Sequence, residues 1–157
     1  MKQKKLFFVI AGLVLAYCPF GMAQELGYWR AADSTAQSVT GDVGFSDARI
    51  TINFNNFAIV RARDLEPAEV SSVFDADSNA NTKGHLYKVN IPAAKKFMHK
   101  NTLCGGEDTQ WMATYVDGRS LHLAFFSGQK IPVFTLDAIT NSTNLCGTYS
   151  YTRFGGA

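Results

Sequence analysis

Alternation of polar and apolar residues predicts a β-hairpin in the first half of this chain. Residues 49–54, Arg-Ile-Thr-Ile-Asn-Phe, alternate in the way that is typical of a strand with one buried face. Asn55 and Asn56 follow and favour a two-residue turn, because asparagine tolerates the positive φ angles that such a turn requires. A returning strand that begins at Phe57 would pair that residue with Phe54, so we expect both rings on the core face.

A second hairpin is predicted around Asp117 and Gly118, a dipeptide that favours two-residue turns. Residues 111–116 lead into this turn and residues 119–126 lead out of it. The strands are apolar on both faces, which indicates that both faces are covered or that one face lines a cavity. One face carries Met112, Leu121, Leu123 and Phe125, and the other carries Trp111, Tyr115, His122 and Phe126.

Shorter apolar segments predict further strands and two helices. Pro67 suits the first position of a helix that we expect to continue from Ala68 to Phe74, and a second helix is predicted from Ala93 to Met98. So many short strands favour a mostly β fold: a single small antiparallel β-barrel or a sandwich, with one or two short helices. The additional strands are predicted at residues 27–30, 38–45, 85–91, 131–136 and 148–154.

The N-terminus has the composition of a signal peptide. Three lysines among the first five residues precede an apolar run from Leu6 to Tyr17, and Gly21-Met22-Ala23 supplies small residues where a signal peptidase cleaves. The run is shorter than the roughly 20 residues of a membrane-spanning helix. We therefore predict a signal peptide over residues 1–23 and a single β domain over residues 24–157, rather than an uncleaved anchor or a lipid-modified Cys18.

Cleavage would change both the cysteine count and the charge of the domain. Only Cys104 and Cys146 would remain, and two cysteines in an exported protein predict one disulfide; the alternative is two buried, reduced thiols. The chain has fifteen Lys and Arg against thirteen Asp and Glu, and three lysines would leave with the signal peptide. No basic tract remains, which argues against nucleic acid as a partner. No second apolar run is long enough to span a membrane after cleavage.

Two short motifs suggest a family. Gly27-Tyr28-Trp29 resembles the G-x-W of the first strand in lipocalins and other calycin barrels, and the ending Leu145–Tyr151 is similar to that of small exported bacterial proteins. In calycins the tryptophan closes one barrel end beneath a basic residue of the last strand. The resemblance therefore implies a calycin-like barrel in which Arg153 covers Trp29, and a bacterial periplasmic or secreted location.

Catalytic motifs are missing from the sequence. It contains neither G-x-S-x-G nor H-E-x-x-H, and a disulfide would leave no free thiol as a nucleophile. His85, His99 and His122 are far apart and lack the spacing of metal ligands. We predict that the protein is not an enzyme and uses no cofactor.

One polar loop has the oxygen-bearing side chains that calcium prefers. These side chains lie at alternate positions: Asp75, Asp77, Asn79 and Asn81. The EF-hand pattern fails, because its glycine position is occupied by Ala80 and its glutamate position by Leu86. Asp and Asn are also frequent in ordinary turns, so we predict no metal site here.

The aromatic face of the second hairpin is the candidate ligand site. Trp111, Tyr115, His122 and Phe126 would line a pocket for an apolar molecule, or would simply pack in the core. We predict a non-enzymatic binding module for an apolar small molecule or a protein partner. The alternative is a periplasmic inhibitor of a lysozyme or protease, and the polar loop before Cys146 would offer a tethered protein-binding surface.

Overall fold

Eight antiparallel strands follow one another around a closed barrel in the residues that the computed structural model describes, 24–77 and 83–155. Each strand pairs with the next in sequence, and the first also pairs with the last. Closure decides between the two predicted architectures in favour of the barrel. The predicted signal peptide lies outside the described residues. The strands are β1 Gly27–Ala31, β2 Val43–Ser46, β3 Arg49–Ile52, β4 Asn55–Leu65, β5 Gly84–Ile91, β6 Thr109–Asp117, β7 Ser120–Ser127 and β8 Leu145–Arg153.

Short helices occupy several of the connections. The helix predicted after Pro67 is confirmed, and Glu66 and Glu69 cap it reciprocally at its N-terminus. None of the helices in the described part of the chain has the length and apolar composition needed to cross a bilayer. The helices are α1 Ser34–Val39, α2 Pro67–Phe74, α3 Leu136–Thr140 and a 3-10 helix Met98–Lys100.

Apolar side chains are buried on both faces of the β6–β7 hairpin, as its composition predicts. The face with Met112, Leu121 and Phe125 belongs to the core inside the barrel. The opposite face belongs to a second cluster, the outer cluster, in which α2 and Phe134 cover the outside of the barrel wall. Members of the outer cluster include Leu65, Val70, Leu86, Trp111, Tyr115 and Phe126.

The up-and-down topology gives the barrel two unlike ends. At the base, β1 begins and β8 ends; the opposite end, the rim, carries the β1–β2, β3–β4, β5–β6 and β7–β8 connections. Trp29 is fully buried at the base, and the Arg153 guanidinium carbon lies 4.2 Å from the centre of its ring. The contact that the calycin resemblance implies between these two residues is therefore present. Arg153 also donates hydrogen bonds to the carbonyls of Gln24 and Leu26.

The predicted disulfide between Cys104 and Cys146 is confirmed, with 4.9 Å between the two Cα atoms. It joins the β5–β6 connection to the start of β8 at the rim. The bond closes a loop of 42 residues that contains the whole β6–β7 hairpin.

The first predicted hairpin forms with a different turn. The turn lies at Asn53 and Phe54, both with positive φ, so that Ile52 pairs with Asn55. The predicted turn at Asn55-Asn56 would instead have paired Ile52 with a residue beyond that turn. The predicted turn was wrong, and so was the core position predicted for Phe54, which lies in the turn and is 96% exposed. The observed and predicted registers differ by an even number of residues. Both registers bury the same isoleucines, and hydrophobic alternation does not distinguish them.

Three other predicted elements differ from the structure. The segment 38–45 is divided between the end of α1 and β2, residues 93–98 form no α-helix, and residues 131–136 are not a strand. The second hairpin is present, but Asp117 pairs with Ser120, which places its turn one residue later than predicted.

Candidate functional site

The four residues predicted to bind a ligand meet on the outer wall of the barrel. The rings of Tyr115, His122 and Phe74 of α2 form a triangle in which the centroids lie 5.9–6.1 Å apart. Phe126 meets the edge of Phe134 at 5.6 Å. Burial lowers the pKa of the His122 imidazole, which favours its neutral form.

Trp111, the fourth member of this face, is also covered. The ammonium of Lys88 lies 4.3 Å from the centre of its ring, and its indole nitrogen has no hydrogen-bond partner among the described residues. Each of the four rings has a packing partner, and the contacts favour the core-packing alternative. Their role in ligand binding stays a prediction.

An open groove of about 510 Å³ lies elsewhere, on the wall formed by β1, β2 and β3, and extends to the rim. Its lower part is the outer face on which Tyr28, Gly44 and Thr51 are cross-strand neighbours. Its upper part lies between α1, the 3-10 helix and the β3–β4 turn. The exposed or partly exposed apolar residues that line it are Tyr28, Phe54 and Met98, whereas the lining residues Ala31 and Val43 are buried members of the core inside the barrel.

Two glycines of the groove make room for its aromatic and thioether walls. A Cβ atom on Gly44 would lie 3.1 Å from the Tyr28 ring, so the missing side chain lets that ring approach the sheet. Gly41 has φ of +62°, and a Cβ atom there would lie 2.7 Å from the Met98 sulfur. Any larger residue at these positions would push back the side chains that shape the groove.

Phe54 stands at the rim of the groove in a conformation that costs free energy. Its φ is 64°, in the left-handed region that glycine adopts most readily, and 96% of its surface is exposed. The conformation gains no burial within the fold to offset its cost. Residues held in sparsely populated backbone conformations cluster at active sites and ligand-binding sites, which makes Phe54 a candidate ligand contact.

The polar side chains of the groove are mostly engaged with their own neighbours. Thr40 shares a hydrogen bond of 2.7 Å with the Tyr151 hydroxyl, and Thr51 donates to Asn56. One carboxylate oxygen of Asp42 accepts a hydrogen bond of 2.9 Å from the amide N–H of Ala31. Asp42 is the only charged residue that lines the groove within the described part of the chain.

A separate polar cluster fixes the chain at the base. The Glu25 Oε1 atom accepts hydrogen bonds of 2.5 Å from His85 Nδ1 and Thr114 Oγ1, and its main-chain carbonyl accepts one from the Trp29 indole. Burial raises the pKa of the Glu25 carboxyl, but the His85 and Thr114 hydrogen bonds outweigh burial and hold the pKa below its usual range. The Glu25 and His85 side chains are 2% and 8% exposed, so this cluster anchors the segment rather than facing solvent.

The groove was missed at the sequence level because no hairpin pattern contains it. Its residues come from four separate segments, and the available local signals were the glycines at 41 and 44 and an asparagine before Phe54. The loop of residues 75–81, for which no metal site is predicted, is described only as far as Asp77, since Asn79 and Asn81 lie outside the described residues. The prediction for that loop stays untested.

The lining of the groove has the composition of a small-molecule binding site, with a mainly apolar surface and a few polar groups. Its apolar wall suits a hydrophobic body, and its few carboxylate, amide and hydroxyl groups suit orientation of that body. No family model, curated protein or solved structure matches this chain.

Proposed function

We propose that this protein is an exported, non-enzymatic binding module that holds a small apolar molecule in the groove between α1 and the outer face of β1–β3. The observation that carries the proposal is Phe54, an almost fully exposed aromatic side chain kept in a left-handed conformation beside an apolar groove. A bound molecule would cover the Phe54 ring, and burial of that ring would offset the cost of its left-handed backbone conformation.

The size and lining of the groove support a small ligand. Its volume of about 510 Å³ lies within the roughly 300–1,000 Å³ that is usual for small-molecule sites. Tyr28 is also largely exposed, at 74%, and faces the same groove. Full burial of one aromatic side chain contributes about 1.5–3 kcal/mol, so a ligand that covers both rings gains about 3–6 kcal/mol from them, which by itself corresponds to binding near the millimolar range.

Two observations support export. The Cys104–Cys146 disulfide is of the kind that persists in oxidising compartments, and the sequence predicts a signal peptide before Gln24. The two together support a periplasmic or extracellular site of action.

The proposal is tested with a neutral naphthalene probe whose fluorescence rises on transfer from water to an apolar site. We expect saturable binding to the purified domain, weakened about tenfold or more by Phe54→Gly. Val60→Gly, at an exposed apolar residue of β4 outside the groove, serves as the matched control and should leave the affinity unchanged. Binding that is absent, or equal in both variants, would contradict the proposal.

A second candidate function, inhibition of a protein such as a lysozyme or protease, is favoured by the β7–β8 connection. Ile131, Val133 and Leu136 are exposed there, and residues 129–134 make no backbone hydrogen bond with any described residue. An extended apolar segment with free backbone groups suits pairing with another protein. Loss of inhibition in Val133→Glu, but not in Val60→Glu, would identify this segment as the contact.

A further inference from the structure

We infer that the molecule held in the groove is a cationic amine on an apolar, aromatic body, an inference that rests on the proposed function. Asp42 is the only charged residue among the described residues that line the groove. A carboxylate beside an apolar wall favours a positive group on the ligand and disfavours a negative one.

The Asp42 carboxylate has capacity left for a ligand. Its Oδ1 atom accepts one hydrogen bond from Ala31, which fixes the side chain at the start of β2. No lysine or arginine of the described chain forms a salt bridge with Asp42. The side chain is exposed, and a carboxylate offers about four lone-pair positions, so an ammonium has room to bind.

Two basic side chains that are adjacent in sequence to groove residues contact other groups. The Arg30 guanidinium lies over the Phe154 ring, with 4.8 Å between its central carbon and the ring centroid. His99, which follows Met98, contacts the Ser38 carbonyl at 3.1 Å. The charge of Asp42 is therefore the one that a ligand in the groove meets.

The aromatic walls add to the same preference. Tyr28 and Phe54 both line the groove, and an ammonium within about 6 Å of the face of an aromatic ring is attracted by the ring quadrupole. The same rings pack against a planar apolar body. A carboxylate ligand would gain only the packing of its apolar body against the rings, and its negative charge would be repelled by Asp42.

The test compares three probes that share one naphthalene body and differ in one substituent: 1-naphthylmethylamine, 1-naphthylmethanol and 1-naphthoate. Dissociation constants are measured at pH 7 for the wild-type chain, Asp42→Asn and the control Asp47→Asn, whose side chain lies in the exposed β2–β3 turn at the base. Asparagine keeps an oxygen for the Ala31 N–H, so Asp42→Asn removes charge with little change of structure.

We expect the wild type to bind the amine about five- to tenfold more tightly than the alcohol, and the carboxylate more weakly than both. Asp42→Asn should abolish the preference for the amine over the alcohol, whereas Asp47→Asn should keep that preference. Equal affinities, or a preference for the carboxylate, would overturn the inference while leaving the groove as a binding site. Failure of all three probes to bind would overturn the proposed function, and the inference with it.

Discussion

At the scale of single residues, the lowered pKa of Glu25 makes the stability of the folded chain depend on pH. Its carboxylate is buried at the base with hydrogen bonds from His85 and Thr114. Because its pKa is lower in the folded chain than the ordinary value of 4.5, its contribution to stability is complete above that value and is lost as the pH falls through the folded pKa. The base of the barrel should therefore loosen first in acid.

We predict that Glu25→Gln reduces the acid sensitivity of the fold. The variant should be less stable than wild type at pH 7, and the difference should shrink as the pH falls below about 4.5, where the Glu25 carboxylate of the unfolded wild-type chain takes up a proton before that of the folded chain does. Urea unfolding midpoints at several pH values between 7 and 3 measure this. The lowered pKa values of Asp64 and Glu69 are common to both chains and cancel in the comparison. Parallel pH profiles would contradict the assigned role.

Phe54 gives the second prediction at this scale, which concerns stability rather than binding. Glycine at this position would form an Asn-Gly turn, the preferred dipeptide for positive φ at both positions. Relief of the left-handed strain should exceed the entropy cost of glycine, and we expect Phe54→Gly to raise the free energy of unfolding by roughly 0.5–1 kcal/mol.

The matched control for this substitution is Val60→Gly, at an exposed residue within β4 whose φ is not positive. It should lower the free energy of unfolding by roughly 0.5–1 kcal/mol. Denaturant titration of both variants decides the matter: destabilisation by Phe54→Gly would mean that the phenylalanine is retained for the fold and not for a ligand.

At the scale of elements, the hydrophobic pattern predicted which face of each strand is buried more accurately than it predicted the register of the strands or the bounds of the elements. The two faces of β6 and β7 were assigned correctly because inward and outward residues alternate without interruption. Register depends on the turn, and the strained Asn53-Phe54 turn is one that propensity disfavours. Helix α1 was missed because its signal is a single cap, Asp33, before a segment with few apolar residues.

Asp33 gives the prediction for this scale. One carboxylate oxygen accepts from the Ala36 N–H at the start of α1, and the other accepts from the Ser150 N–H of β8. Asp33→Ala should lower the free energy of unfolding by about 1–3 kcal/mol, because it removes both a helix cap and a link to the barrel.

The comparison for Asp33 is Thr135→Ala, which removes only the exposed cap of α3. We expect this change to cost no more than about 1 kcal/mol. Unfolding of both variants in urea provides the measurement. Equal losses would show that the second contact of Asp33, to β8, adds nothing.

At the scale of the whole molecule, the disulfide ties two connections of the rim. Replacing both cysteines in the double variant Cys104→Ser/Cys146→Ser should lower the free energy of unfolding by about 2–4 kcal/mol. The reason is that the unfolded chain regains the conformational entropy that closure of a 42-residue loop removes. Thermal unfolding with and without a reducing agent measures the effect. The melting temperature of the wild type in reductant should equal that of the double variant. A wild-type melting temperature that is the same with and without reductant would contradict the prediction.

The groove also belongs to the whole molecule, which explains why the sequence did not predict it. Tyr28, Asp42, Phe54 and Met98 become neighbours only when the barrel closes and the rim connections fold over it. Periodicity reports how residues alternate within one strand. It carries no information on which loops meet at an end of the barrel.

The proximity of Gln24 and Arg153 at the base has a practical consequence. The Arg153 side chain bonds to the Gln24 carbonyl, so the first and last described strands are joined where the domain starts and finishes. A short linker between residues 155 and 24 would close the backbone into a ring, and new ends could be opened in an exposed turn. Residues 24 and 155 therefore lie at the opposite end of the barrel from the part of the groove that opens at the rim.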